Sequence, residues 1–290
     1  MKKNHTWFRK HPILKKIWKQ YKAVKRFFRY EDLRKTFYKK TIRAFRVFIG
    51  IGGIYPYKHP LDIIHANNDF VVINKEAGML THPTGHNEKD TVLNALLFYL
   101  GKKGNKHKNM PGPISRLDRD TSGIILFALS PSSKSFFGKT MEEKKFVKKY
   151  WVLVSGKTEE KGKIDIPLFH NRVTRKMEAS SHEEGKKSIT LFKRKEYFQR
   201  ANMSFVEVEL ITGRMHQIRA HFSLLGFPVV GDILYGNQEI NTFCEKHFSL
   251  KQNFLHAHSL SWEDSGKIFS FESPLPKALE EMKRRIENEE

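Results

Sequence analysis

Cysteine is almost missing from this chain. Cys244 is its single example in 290 residues, which excludes an internal disulfide and any metal site built on several thiolates, fits a reducing compartment, and leaves this residue to be read as a packed thiol. Long apolar runs are missing too. The longest near the start, Val47 to Ile54, holds three glycines and falls far short of the roughly 18 residues that a membrane-crossing helix needs. No apolar stretch ahead of a small-residue cleavage site marks a secretory leader. A mitochondrial leader would favour Arg and Ser, whereas the early chain is Lys-rich and has no serine before Ser115. These absences point to the cytoplasm, or to an organelle in a eukaryote.

Acidic residues are in deficit. Against 53 Lys and Arg stand 31 Asp and Glu, a formal charge of +22. Such a balance implies a polyanionic partner, because clustered cations gain affinity for phosphates by releasing counterions, and nucleic acid leads the candidates. The excess is uneven. Residues 1–50 carry 17 basic and 2 acidic residues, whereas the remaining chain carries 36 and 29. In residues 7–30, Ile13, Leu14, Ile17, Trp18, Tyr21, Val24, Phe27 and Phe28 recur at three- and four-residue spacing among the cations, the pattern of an amphipathic helix. Such a helix can bind RNA phosphates, lie on a membrane surface or pack on its own domain.

Gly50, Gly52, Gly53, Pro56 and Pro60 form a breaker-rich linker. We therefore expect a basic helical extension over residues 1–55 and a catalytic domain over 60–288. With 39% hydrophobic residues the larger unit can bury a full core. Strands are expected at Phe70–Asn74, Gly123–Leu129, Phe146–Ser155, Ser188–Lys193, Ser204–Ile211, Phe254–Ser261 and Ile268–Glu272. Helices are expected at Thr91–Leu100, Ser132–Met141, Met215–Leu225 and Pro276–Asn288. Strands that follow one another without helices between them indicate an α+β fold with a largely antiparallel mixed sheet and flanking helices. Lys102 to Asn109 forms a basic loop suited to a phosphate backbone.

The stretch Arg116-Leu117-Asp118-Arg119-Asp120-Thr121-Ser122-Gly123 sets Asp118 between two arginines in a polar turn that runs into an apolar strand. Charged turns are usually solvated, so the segment alone says little. It stands in company, however: Phe70 to Pro83 lies upstream, with Val147 to Gly156 and Ile211 to Gly236 downstream. In the Val147–Val154 strand, residues of one parity share a face, so Lys148 and Tyr150 can reach one cleft with Val152 and Val154. Read otherwise, Tyr150 is a core tyrosine beside a snorkelling lysine. His216, Gln217 and His221 fall on the expected helix after Gly213, and no further ligands at suitable spacing complete a metal site. A glycosidase-like hydrolase would want a second flanking carboxylate, and only Asp120 lies near.

The four blocks in this order resemble the RluA-type pseudouridine synthases, over about Asp62 to Met282. That family reads Asn-Lys-Pro-x-Gly in the first block, His-Arg-Leu-Asp-x-x-Thr-Ser-Gly in the second and Lys-x-Tyr in the third. The last reads Gly-Arg-x-His-Gln-Ile-Arg followed by Gly-Asp-x-x-Tyr-Gly. Here Glu76 replaces the proline and Ser115 the first histidine.

The resemblance implies a pseudouridine synthase fold and isomerisation of uridines, first of all in large-subunit ribosomal RNA, with no metal or organic cofactor. The partner is then RNA, ribosomal or transfer, bound by what is expected to be a monomer with no obligate protein partner and no transmembrane segment. Asp118 is implied as the catalytic acid and Tyr150 as the ring that stacks on uracil and helps remove the C5 proton. An ionised, partly buried acid needs a cationic neighbour, a role the resemblance gives to Arg214. Arg116, Lys148, His216, Gln217 and Arg219 are expected to contact substrate or support the site. Gly231, Asp232, Tyr235 and Gly236 read as a turn under the site floor, and His256 as structural. A transfer-RNA synthase of the same family, and a catalytically silent RNA-binding relative, are the alternatives. Many relatives carry a small RNA-binding domain ahead of the catalytic one. Its pattern is not found here, and the basic extension is expected to take its place.

Overall fold

Ser122–Ala128 is buried at all seven positions, as an apolar strand covered on both faces must be. It is one of twelve strands in the computed structural model, which describes residues 54–84, 88–102, 110–180 and 184–288. In chain order the elements are β1 (Asp62–Ala66), β2 (Phe70–Lys75), α1 (Val92–Lys102), β3 (Gly112–Pro113), β4 (Ser122–Ala128), α2 (Pro131–Glu142), β5 (Val147–Ser155) and β6 (Lys161–Asp165). There follow β7 (Leu168–His170), β8 (Met177–Ala179), β9 (Ile189–Phe198), β10 (Met203–Leu210), α3 (Gln217–Leu224), α4 (Gln238–Phe248), β11 (Leu255–Asp264), β12 (Lys267–Glu272) and α5 (Lys277–Asn288). The amphipathic segment expected at residues 7–30, and residues 103–109 of the expected basic loop, lie outside the described residues. Among the described helices, none is long and apolar enough to cross a membrane.

Ten strands form one sheet in the order β1-β2-β4-β11-β5-β10-β9-β6, with β12 on β11 and β3 on β4, while β7 and β8 make a separate hairpin. Among the described pairs only β4 with β11 is parallel, through Ser122↔His256 and Gly123↔Ala257. That junction requires a glycine. Gly123 has φ +111°, and a Cβ on it would lie 2.2 Å from the Ala257 carbonyl oxygen. The fold is therefore α+β with a largely antiparallel mixed sheet, in keeping with the expected class.

Alternation along β5 distributes the core. Tyr150, Val152 and Val154 pack with Val206 and Val208 of β10, Leu255 and Ala257 of β11, and Ile218 and Phe222 of α3. Leu153 turns the other way, to Phe205, Cys244 of α4, and Leu279, Met282 and Ile286 of α5. Each Val, Leu, Ile, Phe or Met side chain among them, once fully buried, stabilises the fold by roughly 1.5–3 kcal/mol. The first group matters for the site, because it seats α3 against the end of the sheet where Leu117 also packs.

Local chemistry sets the helix ends. Ser130 caps α2 in a reciprocal box with Ser133, with Pro131 in the first turn. Asn237 caps α4 by accepting from the N–H groups of Glu239 and Ile240. α3 begins later than expected. His216 stands just before it in the left-handed region, φ 51°, and makes no side-chain cap.

Candidate active site

Three elements fix the loop that carries Asp118. Lys75 closes β2, and its ammonium donates to the carbonyls of Glu76 at 2.8 Å, Met79 at 2.8 Å and Arg119 at 2.9 Å. Gly78 N–H also donates to the Arg119 carbonyl. Thr81 Oγ1 donates to the Leu117 carbonyl and accepts from the Leu117 N–H. The backbone on both sides of Asp118 is thus pinned, so the carboxylate leaves a rigid frame. Burial pushes the Lys75 ammonium down to about 8, partly offset by the negative charges of Asp120, Asp118 and Glu76.

Arg219 supplies the cation. Its Nη1 donates to Asp118 Oδ2 at 2.8 Å, while Nε and Nη2 donate to Asp232 Oδ2 and Oδ1 at 2.6 and 2.9 Å. Asp232 is fully buried and Oδ1 also accepts from the N–H groups of Leu234 and Tyr235. Burial opposes the charge on Arg219, but the hydrogen bonds and charge of Asp232, with the charge of Asp118, outweigh it. The planar guanidinium fork meets two carboxylates at fixed angles, which a lysine could not do.

This corrects the expectation for Arg214. Arg214 is exposed, and its Nε donates to the Lys187 carbonyl at 3.1 Å. It lies in the loop ahead of α3, whereas Arg219 lies within the helix and is buried beside Ile218. Two arginines five residues apart look alike in a motif, and it is where the helix begins that leaves Arg214 in an exposed loop and buries Arg219. Gln217 also departs from its expected role as a substrate contact. Its carbonyl accepts from Thr212 Oγ1 and Arg214 N–H, and its amide donates to the Ile189 carbonyl and Thr190 Oγ1. That polar capacity is spent on β9 and on the loop ahead of α3, so no donor remains for RNA.

Tyr150 is 8% exposed and packs in the cluster that contains Leu117. Burial first, and then the charge of Asp118, raises its phenol well above the usual tyrosine value. Lys148, half-buried on the same strand, donates weakly to Met141 Sδ at 3.7 Å, and burial lowers its ammonium. Arg116 is exposed at the start of the loop. His216 Nε2 lies 3.8 Å from Asp118 Oδ2, and its Nδ1 is 3.1 Å from the Tyr235 hydroxyl. The structure thus brings Asp118, Arg219, Tyr150 and His216 together, and sets Arg214 and Gln217 to structural duties.

Asp232 and Tyr235 were expected only as parts of a turn under the site floor, and Lys75 was given no site role from sequence. A lysine closing the strand Phe70-Val71-Val72-Ile73-Asn74-Lys75 was a usable signal, since a buried cation needs several acceptors. Gly231 has φ +80°, and a Cβ there would lie 2.1 Å from the Gln252 carbonyl oxygen, which holds the turn where Asp232 meets Arg219. A cavity of about 420 Å³ lined by Met203, Ile240, Phe243, Phe248 and Ile286, with Arg200 and Glu239 also in its wall, opens among residues packed with the opposite face of β5 and contains none of these groups. Among the described residues, no three His, Cys, Asp or Glu side chains are grouped to hold a metal ion.

Residues 69–224 match the family model described as RNA pseudouridylate synthase. The chain belongs to that family. Ribosomal large subunit pseudouridine synthase D of Buchnera aphidicola is 34% identical over 236 residues, covering 78% of this chain and 73% of that one. The protein of the same name from Haemophilus ducreyi is 31% identical over 229 residues, 76% of this chain and 69% of that one. Among solved structures, human RNA pseudouridylate synthase domain containing 4 superposes with a TM-score of 0.64 at 21% identity, over 78% of this chain and 92% of that chain. At that identity the likeness speaks to the fold. The chain is therefore an RNA pseudouridine synthase, an isomerase, built on the fold its relatives share.

Proposed function

We propose that this synthase converts specific uridines of large-subunit ribosomal RNA to pseudouridine through Asp118, with no metal or organic cofactor. The observation that carries the reading is the ion pair in which buried Arg219, itself braced by Asp232, holds the Asp118 carboxylate at 2.8 Å. The names of the curated relatives support the choice of ribosomal RNA.

The reaction breaks the C1'–N1 bond, turns the freed uracil and joins C5 to C1', releasing the C5 proton to solvent. An ionised Asp118 can add to the electron-poor C1' or remove a proton from C2', and either route uses the same carboxylate. Its lone pairs stay oriented because Arg219 and the Lys75 loop clamp leave the side chain little freedom, which removes part of the entropy cost of reaching the reactive geometry. Tyr150 offers the ring beside which uracil is held. Its phenol stays protonated at neutral pH, which suits a neutral stacking partner and disfavours a standing phenolate as the base for the C5 proton.

The target nucleotide has to leave its stack before the sugar can reach Asp118, and the cost is least in loops and irregular RNA. Arg116, exposed beside the acid, and Lys148 serve the phosphates and base around it. We assign residues 1–55 to a basic extension that adds RNA affinity to a catalytic domain at 60–288; a truncated protein with undiminished affinity overturns that part. Release of tritium from C5-labelled uridine in ribosomal RNA tests the main reading. Release from transfer RNA alone replaces the substrate, and binding without any release replaces the activity.

A further inference from the structure

The phenol of Tyr235 joins the β7–β8 hairpin to the site. Its oxygen accepts from the Met177 N–H at 2.6 Å and lies 3.1 Å from His216 Nδ1. The Tyr235 ring also carries the Arg219 guanidinium, 5.1 Å from its centroid. We propose that Tyr235 is a positioning residue that fixes His216 as its Nε2–H tautomer, so that neutral His216 presents a hydrogen-bond donor to a uracil carbonyl oxygen beside Asp118.

Proton counting carries the assignment. Met177 brings its own hydrogen to the phenol oxygen, so the phenol proton must go elsewhere. Tyr235 is 8% exposed, and a buried O–H without an acceptor is costly. If His216 carried its proton on Nδ1, the phenol would receive two hydrogens and have no acceptor for its own among the described contacts. With Tyr235 donating to Nδ1, the Met177 N–H and the phenol O–H both have partners, and the imidazole proton is left on Nε2.

Nε2 lies 3.8 Å from Asp118 Oδ2, beyond a hydrogen bond, and it makes no hydrogen bond among the described residues. That N–H is therefore open to a third group. The left-handed backbone at His216, φ 51° and ψ 20°, is uncommon outside glycine; here it accompanies a side chain engaged with Tyr235 and near Asp118 instead of capping α3. Burial is the largest influence on His216 and lowers its proton affinity; Asp118 and Asp232 push the other way, and Arg219 and His170 reinforce burial.

The chemistry gives this donor a use. When the C1'–N1 bond breaks, its electron pair stays with the base and charge spreads to the uracil carbonyl oxygens. A fixed neutral donor stabilises that charge as it develops. The inference rests on Asp118 acting at the sugar of the same nucleotide, as proposed above.

The test combines spectroscopy with a mutant cycle. Long-range ¹H–¹⁵N spectra of the wild-type protein at neutral pH should show His216 protonated at Nε2, and Tyr235→Phe should lose that single tautomer. Tyr235→Phe should lower kcat about tenfold and change KM by less than about twofold, because the donor acts on charge absent from the ground state. His216→Gln carries its own N–H without needing Tyr235, so adding Tyr235→Phe to it should lower kcat no further. A wild-type Nδ1–H tautomer, or losses that multiply in the double variant, overturns the inference. If Tyr235→Phe does not fold, the wild-type spectrum alone decides. An Asp118→Asn protein that remains active would instead overturn the proposed function and leave the tautomer standing.

Discussion

Arg219 in α3 donates through Nη1 to Asp118 Oδ2 at 2.8 Å, across 101 residues of sequence. The pair joins the loop ahead of β4 to a helix seated on β5 and β10, so the position of the acid depends on the packing of two distant segments. Arg219→Lys keeps the charge but loses the fork, and we expect kcat to fall at least about a hundredfold, the scale of a misplacement near 1 Å. Arg214→Ala removes an exposed side chain and should change kcat less than about threefold. Tritium release from labelled RNA checks both; equal losses would return Arg214 to the site.

Asp232 makes the pairing possible. Asp232→Asn leaves a buried guanidinium with one carboxylate instead of two, and we expect it to destabilise the protein by about 3–5 kcal/mol. Urea unfolding measures this directly. A variant as stable as the wild type would mean that the turn at Gly231 is held by its backbone alone.

Much of this arrangement was legible in the sequence, and the exceptions have physical causes. Strands such as Phe70–Lys75 and Ser122–Ala128 announce themselves by continuous apolar runs, and the antiparallel α+β class follows from their succession. α4 was not expected, because its inward residues Ile240, Cys244 and Phe248 are few and its surface is polar; its signal was the Asn237 cap. The short strands β1, β3, β6, β7 and β8 were also missed, since β1 is mostly half-exposed and β6, Lys-Gly-Lys-Ile-Asp, buries only Ile164. Asp118 and Tyr150 stood out by motif. The exchange of Arg214 for Arg219 did not, because a motif records residue types and not which of them the loop leaves exposed and which the helix buries.

Gln217 separates support from substrate contact. Gln217→Leu removes four hydrogen bonds, two to β9 and two to the loop ahead of α3, and should cost about 2 kcal/mol of stability while leaving KM for RNA within about twofold of wild type at a temperature where the variant is folded. A selective rise in KM would restore its role as a substrate contact.

Lys75 gives the site a pH dependence. Its folded value near 8 lies below the ordinary 10.5, so between those values the unfolded chain holds a proton that the folded chain has released. The contribution of Lys75 to stability therefore rises with pH across that window. The clamp itself behaves oppositely, because a neutral amine has two hydrogens for three carbonyls. We expect kcat to fall as pH rises through about 8, and Lys75→Met to be less active at every pH with no such limb. A flat wild-type profile between pH 7 and 10 would show that the clamp does not govern Asp118.

The most direct test of the central claim is single-turnover tritium release from C5-labelled ribosomal RNA by Asp118→Asn protein that folds and binds RNA like the wild type. The account predicts pseudouridine from the wild type, no free uracil, and no release above background from the variant. Release by the variant at a rate near that of the wild type would contradict it.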